Sequence, residues 1–585
     1  MPEPTPASVA GLTCQPAGPP FPSPLDWRDE VIYELMIDRF NDGRDRPPYD
    51  PDHAPRGRPA DGGSRFEGGT LAGVTAKLDY VKGLGVTAIW LTPALKNRPG
   101  DDASYHGYGV QDFLAIDPRF GTVEDLVHMV RQAHDRGLYV IMDIVIDHTG
   151  DLWTYAGGGA ETWDNGRRYD LGAWRRGGDG GPLAGPPGPD DAVWPVEFQR
   201  PEAFRRQGQM RDVGRAVEPE ATDADFLSLK KLDLERADVL KAVINVYRHW
   251  IAVADIDGFR IDAFRHLNPP AAAVFCNAMR EFTARIGKRN FLMVGEVAAG
   301  MEETIKYVGL NTPLAGEGNH SRYALLEAVL DFPLYNVLGD LIHGRAGLDG
   351  VRDRFDFLER YYRDPAQAGR YYVTFIENHD GGADGNRHRL LYGNRDPRLA
   401  VLAVGFLLTS IGIPCIYYGQ EQGFDGGGDG DRFIRECMFG GNWGAFGTTR
   451  VHFFNPLHPI YLGIAKVAEV RRRLPALRYG RQFFRDISGD GVHFGPTTNP
   501  GGTLAYSRVL DTSEVVVAVN LSTDDRNDGV LVDADLTPPG TQMTDQLGSG
   551  LTVKVERAAN GIAFVRLPLK GRTMAILTSA LPTTL

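Results

Sequence analysis

Three acidic residues, Asp262, Glu296 and Asp380, each close an apolar, strand-like run: GFRIDAF, MVGEV and TFIENHD. Residues at the C-terminal ends of parallel barrel strands converge on one open face, where that architecture keeps its chemistry. Carboxylates gathered there suit cleavage of an acetal between sugars by double displacement. One attacks the anomeric carbon while a second, protonated, gives the leaving oxygen its proton, the pair sitting roughly 5 Å apart. Arg260 precedes Asp262 by two residues, so on a strand both side chains point to one face and the guanidinium can hold Asp262 ionised as a nucleophile. Glu296, between Gly295 and Val297, is placed for partial desolvation near negative neighbours, which favours a protonated carboxyl and the role of general acid. Asp380 follows His379, and beyond the strand end both reach a sugar's hydroxyls. Singly, each acid has a structural account: Asp262 pairs with Arg260, Glu296 caps a helix, Asp380 begins a turn. A shared face is what favours chemistry.

Eight segments read as the strands that would build this face: VIYELMIDRF from Val31, VTAIWLTP from Val86, YVIMDIVIDH from Tyr139, DIDGFRIDAF from Asp255, FLMVGEV from Phe291, AVLDFPL from Ala328, YYVTFIENHD from Tyr371 and IPCIYYGQE from Ile413. Most are apolar without alternation, as in strands covered on both faces. Helical patterns lie between them: Leu71, Val74, Leu78 and Val81 recur at three- and four-residue steps, as do Val123, Leu126, Val127 and Val130, with Thr122 and Asp125 as caps. Alternation of this kind predicts a closed (β/α)8 TIM barrel, since right-handed crossovers place the helices outside. We divide the chain into a tail (1–25), the barrel (26–148 and 229–480), a loop domain inserted after the third strand (149–228) and a C-terminal antiparallel β-sandwich (481–585). The insertion is rich in Gly, Pro, Trp and Arg and carries GGDGGPLAGPPGPDD, which reads as a floppy tract; the last part holds short β-prone pieces such as TLAYSRVL and EVVVAVNL. Arg471 to Arg473 read as a solvated helix end with a favourable dipole.

The chain has 585 residues, 42% hydrophobic and 24% charged, with a formal net charge of −13, so phosphate backbones and anionic lipid are not its expected partners. Cys14, Cys276, Cys415 and Cys437 show neither a paired framework nor metal-ligand spacing and read as reduced thiols. Leu399 to Gln420 lacks charge and is long enough to span a bilayer, but Gly412 and Pro414 split it into a helix-like and a β-rich half. The first twenty residues have no basic start or continuous apolar stretch, from which we expect a cytoplasmic protein.

DIVIDH (Asp143 to His148), GFRIDAFRH (Gly258 to His266), VGEV (Val294 to Val297) and ENHD (Glu377 to Asp380) resemble, in order and strand placement, the four signature segments of the α-amylase family of glycoside hydrolases. The likeness covers about residues 26 to 480. It implies Asp262 as nucleophile, Glu296 as general acid/base and Asp380 as the residue that grips the sugar and stabilises the transition state. SYHGYG is similar to the family's stretch after strand two, implying that Tyr108 stacks under the reacting glucose while His106, His148 and His379 hydrogen-bond it; Arg260 completes the substrate-binding set. The resemblance also implies a structural Ca2+ held by Asp147, Asp233 and the carbonyl of His266, with no cofactor needed for the chemistry. Here Asp147 stands where the family usually has Asn, Lys231 precedes Leu232-Asp233 where Pro is frequent, and Arg265 replaces a frequent Lys. The extra charge of Asp147 either strengthens a cation site or is answered by Lys231 or Arg265 as an ion pair. DRFNDG near Asp38 and DGGGDGD near Asp425 offer further oxygens but read as loops.

The expected activity is retaining hydrolysis of α-1,4-linked glucans or maltooligosaccharides through a covalent glucosyl-aspartate. Ala263 and Arg265-His266 resemble the α-1,4-acting relatives more than the α-1,6-glucosidases. Two other readings are a transglycosylase, or α-glucosidase of other linkage, using the same intermediate, and a non-catalytic carbohydrate-binding protein.

Overall fold

A computed structural model describes residues 6–57, 63–308, 326–362, 364–383, 388–394, 396–426, 428 and 430–579. Eight parallel strands close a barrel: β1 (Ile32–Leu35), β2 (Ala88–Leu91), β3 (Tyr139–Ile144), β4 (Gly258–Ile261), β5 (Leu292–Gly295), β6 (Ala328–Leu330), β7 (Tyr372–Thr374) and β8 (Ile413–Tyr417). Each strand pairs with its neighbours in sequence order, and β1 closes the ring on β8 through Ile32 opposite Cys415. Every expected strand is present, including the short sixth, which helix Phe332–Ile342 follows directly.

Strand alternation sorts the side chains into two cores. Tyr33, Ile89, Val140, Phe259 and Met293 face outward into the large apolar cluster shared with the surrounding helices. Ile32, Ala88, Ile141, Leu292 and Val373 fill the barrel. One step further along the same inward faces come Glu34, beside Trp90 in the β1–β2 register, and Arg260, beside Asp143 in the β3–β4 register. The barrel interior is therefore apolar below and charged toward its C-terminal mouth, a layering that follows from the period of two.

Helix Val123–His134 begins with a reciprocal cap: Asp125 N donates to Thr122 Oγ1 at 3.2 Å and Thr122 N to Asp125 Oδ2 at 2.9 Å. The periodicity from Leu71 to Val81 is split into two short helices, Leu71–Thr75 and Leu78–Gly83. Leu399 to Gln420 forms most of helix Pro397–Thr409 and the whole of β8; among the described residues no helix is long and apolar enough to cross a membrane.

After β3 the chain makes an excursion containing the hairpin Trp153–Tyr155 with Leu171–Trp174 and returns through Lys230–Lys231, which pairs antiparallel with His148–Thr149. The Gly/Pro tract expected to be floppy is pinned to the barrel loops: Gly178 N donates to Pro99 O at 2.7 Å, and Lys96 Nζ lies 2.7 Å from Asp190. Beyond the barrel, a six-stranded and a four-stranded antiparallel sheet enclose a core of Val516, Ala518, Val530, Val565 and Leu577. Arg471 is not on a solvated face. It is buried, donates to the carbonyls of Leu408, Leu477 and Arg28 at 2.8, 3.0 and 2.7 Å, and fastens the barrel base, while Arg472 and Arg473 are exposed.

Candidate active site

Arg260 leaves β4 inside the barrel and its guanidinium gathers carboxylates from three strands. Nη1 lies 3.0 Å from Asp143 Oδ1 and 2.8 Å from Asp262 Oδ1, and Nη2 lies 2.8 Å from Glu296 Oε2. Two residues beyond Arg260, Asp262 occupies the next inward position. The chain then turns sharply, with Ala263 in the left-handed region (φ 48°), and the Ala263 N–H donates to Glu296 Oε2 at 3.0 Å. Glu296 directly follows β5; Gly295 before it is closely covered, since a Cβ there would meet Leu326 Cδ1 at 2.3 Å. Side chains of Asp262 and Glu296 are 14% and 17% exposed, so both are largely dry yet reachable from the mouth.

His379 and Asp380 lie past the end of β7. His379 Nδ1 is 2.6 Å from Glu34 Oε1, and its Nε2 is 2.9 Å from Asp380 Oδ2 and 2.6 Å from the Tyr108 hydroxyl. Burial disfavours a charged ring, but Asp380 and Glu34 on its two sides outweigh that and raise His379 to about 10. Asp380, its side chain 43% exposed, is held well below the usual carboxylate range: partial desolvation opposes ionisation, and His379⁺ and Arg435 overcome it. Arg435 Nη2 lies 2.8 Å from Asp380 Oδ1, while its Nε donates to His379 O at 2.7 Å.

Tyr108 donates to Asp143 Oδ2 at 2.8 Å and stacks on His379 with centroids 5.4 Å apart. His106 stacks on Tyr108 at 5.5 Å, and burial with the charge of Arg435 lowers it to about 3. His148, lowered to about 4 chiefly by burial, sits 3.9 Å from Asp262 Oδ2, too far for a hydrogen bond. All eight expected chemistry and substrate residues thus meet at one end of the barrel.

Asp262 differs from expectation in one respect. Its pKa is raised well above the normal value, because burial and then the charges of Glu296, Asp143 and Asp380 outweigh Arg260. One guanidinium shared among three carboxylates does not neutralise them all, and Asp143 itself is raised to about 6 by burial. Excess negative charge at the mouth favours keeping a proton there.

Asp147, Asp233 and His266 do not make a calcium cage. Lys231 Nζ lies 2.7 Å from Asp147 Oδ2 and donates to His266 O at 2.6 Å, filling the place between them. Asp233 turns its carboxylate to Arg205 and Arg168, at 3.3 and 3.5 Å. Among the described residues no group of three or more His, Cys, Asp or Glu is arranged to hold a metal ion. Asp38 accepts from Glu67 N and Gly68 N and pairs with Arg39, a local structural role.

Sequence reasoning missed Glu34, Trp90, Asp143 and Arg435. Alternation along β1 and β3 carries a signal for Glu34 and Asp143, since each is an inward position within a run read only as apolar. Trp90 donates to Asp143 Oδ2 at 3.1 Å. Arg435, in a loop beyond β8, has no such signal.

Residues 34–435 match the family described as Alpha amylase, catalytic domain. An alpha-amylase of Streptomyces lividans is 31% identical over 563 residues, covering 87% of this chain and 57% of its own length. A cyclomaltodextrin glucanotransferase of a Bacillus species (strain 38-2) is 26% identical, covering 84% of this chain and 59% of its own. The chain thus spans a little over half the length of these curated relatives. Among solved structures, the alpha-amylase of Geobacillus thermoleovorans, complexed with acarbose, superimposes with a TM-score of 0.68 at 24% identity, covering 95% of this chain and 99% of that one. A cyclomaltodextrin glucanotransferase with a three-domain arrangement gives 0.68 at 26% identity, covering 94% and 99%.

Proposed function

The chain belongs to the alpha-amylase family, and from that premise we propose that it hydrolyses α-1,4-glucosidic bonds of maltooligosaccharides or related α-glucans with retention of configuration. One observation carries the reading: a single guanidinium holds Asp262 and Glu296 at 2.8 Å each, one on either terminal nitrogen. A shared guanidinium keeps both carboxyl groups within reach of one sugar ring, which is what a double displacement by a pair roughly 5 Å apart requires.

Arg260 takes Asp262 Oδ1, which leaves Oδ2 to attack; Arg260 and Ala263 N take Glu296 Oε2, which leaves Oε1 to carry the acid proton. Protonating Glu296 removes a negative neighbour of Asp262, so Arg260 then holds the nucleophile as a carboxylate. Glu296 gives its proton to the glycosidic oxygen as the bond from that oxygen to C1 breaks and Asp262 Oδ2 bonds to C1. Glu296, now a carboxylate, takes a proton from water; the hydroxide oxygen bonds to C1 and Asp262 leaves. Asp380, kept ionised by His379⁺ and Arg435, grips ring hydroxyls and offsets the positive charge that develops on the sugar.

A second reading is transfer, in which a sugar hydroxyl replaces water in the second half; the glucanotransferases among the relatives support it. Incubation with maltoheptaose, followed by chromatography and NMR of the first products, tests both. We expect shorter maltooligosaccharides released first as the α-anomer. Longer or cyclic products would favour transfer, β-anomers would exclude the retaining mechanism, and no reducing sugar from any α-glucan would favour a binding protein.

A further inference from the structure

We propose that the Lys231 ammonium is a built-in cation that replaces a dissociable divalent ion in joining the insertion to the barrel, so that this fold needs no calcium for its stability. Three separate segments meet at Nζ. Asp147 comes from the loop after β3, the His266 carbonyl from the loop after β4, and Lys231 itself from the returning end of the insertion. Contacts of 2.7 and 2.6 Å, with side chains only 3% and 2% exposed, leave the ammonium dry.

Its backbone is fixed as well. Lys231 pairs with His148, its N–H donates to Asp225 Oδ1 at 3.0 Å, and Leu232 N donates to Asp147 O at 2.8 Å. The lysine stem is therefore held in register with its acceptors before the ion pair forms, which lowers the entropy cost of placing the charge.

A calcium ion would need six to eight oxygens at about 2.3–2.6 Å. Two of the oxygens implied by resemblance are already committed to Nζ, and the third residue, Asp233, is committed to guanidiniums at 3.3 and 3.5 Å. A divalent ion would have to displace a lysine ammonium from the position it needs and then tolerate that charge beside it. The carboxylate at 147 balances the single lysine charge in full, leaving none over for a divalent ion.

Calorimetry on the wild-type chain in millimolar EDTA and in millimolar CaCl2 should give the same Tm, and calcium titration should show no binding to this region. A Tm that falls in EDTA and returns with calcium overturns the proposal. Lys231→Met removes the charge and keeps the stem; it should lower Tm by roughly 3–5 °C, as expected for stranding the buried Asp147 carboxylate in a chain of 585 residues. It should also speed proteolytic cleavage within residues 149–228 relative to the barrel. Lys231→Met with wild-type Tm and wild-type cleavage overturns the proposal. Should Lys231→Met fail to fold, Lys231→Arg, which keeps the charge, is expected to fold and to remain indifferent to EDTA; calcium dependence of that variant counts against a built-in cation.

Discussion

Arg260 and Arg471 are both 1% exposed, yet they sit in opposite electrostatic settings. At the barrel mouth, Arg260 meets Asp143, Asp262 and Glu296 within about one hydrogen-bond length, and its pKa is raised well above normal because those charges outweigh burial. At the base, Arg471 donates to the carbonyls of Leu408, Leu477 and Arg28, and burial with the nearby Arg478 lowers it to about 9. A carbonyl satisfies a donor without carrying charge, so Arg471 is hydrogen-bonded while its own charge goes unanswered, and burial makes that charge costly. Carboxylates in excess of cations leave the mouth charged and dry, which costs stability and supplies reactivity. The same residue type thus fastens a junction in one place and tunes a site in the other.

Substitution should separate the two roles. Asp262→Asn should lower kcat on maltooligosaccharides by about 10,000-fold or more, because it removes the attacking group of a concerted unit. Its Tm at neutral pH should be no lower than that of wild type. The sign follows from the raised pKa: a carboxyl whose folded pKa exceeds its unfolded one destabilises the fold whenever it is ionised, and Asn removes that charge. Arg471→Met should do the reverse. Stranding several buried carbonyls costs about 3 kcal/mol or more, read as a lowered Tm, while kcat at a temperature where the variant is folded stays within about twofold of wild type. If Asp262→Asn melts early, or Arg471→Met loses activity while folded, the contrast between the two arginines is wrong.

How much of this was legible in the chain differs by element. All eight strands were readable because a strand covered on both faces is written as a continuous apolar run, and even the three-residue β6 was marked by AVL. Asp262, Glu296 and Asp380 were readable because each interrupts such a run at its end. Glu34 and Asp143 were not singled out, since a single inward charge inside an apolar run looks like an exception until the strands are closed into a ring. Arg435 lies 55 residues beyond Asp380 in a loop, and only the folded chain brings it within 2.8 Å. The calcium expectation fell to a side chain that sequence had already flagged: Lys231 reaches both Asp147 and His266, and the choice between ion site and ion pair depended on where its Nζ ended. Arg471 was read from helix position alone, which places a residue near a helix end but not whether other segments of the chain close over it.

His379 gives the comparison its pH dependence. Its ring is faced by Glu34, Asp380 and the Tyr108 hydroxyl, and its pKa is raised to about 10. A histidine with a folded pKa above its unfolded value of about 6.5 contributes stability that is complete below that value and lost as pH rises toward the folded one. His106 and His148, lowered to about 3 and about 4, are already neutral throughout that window and add nothing to the slope. Wild-type Tm should therefore fall by several degrees between roughly pH 7 and pH 10, with activity falling over the same range as Asp380 loses its charged neighbour. His379→Gln keeps a donor beside Glu34 without a titrating charge, so its Tm should start lower at pH 7 and decline less steeply. Parallel Tm profiles for the two proteins would show that the ring is not held charged at the mouth, and the electrostatic contrast with the carbonyl-bound base would lose its titrating member.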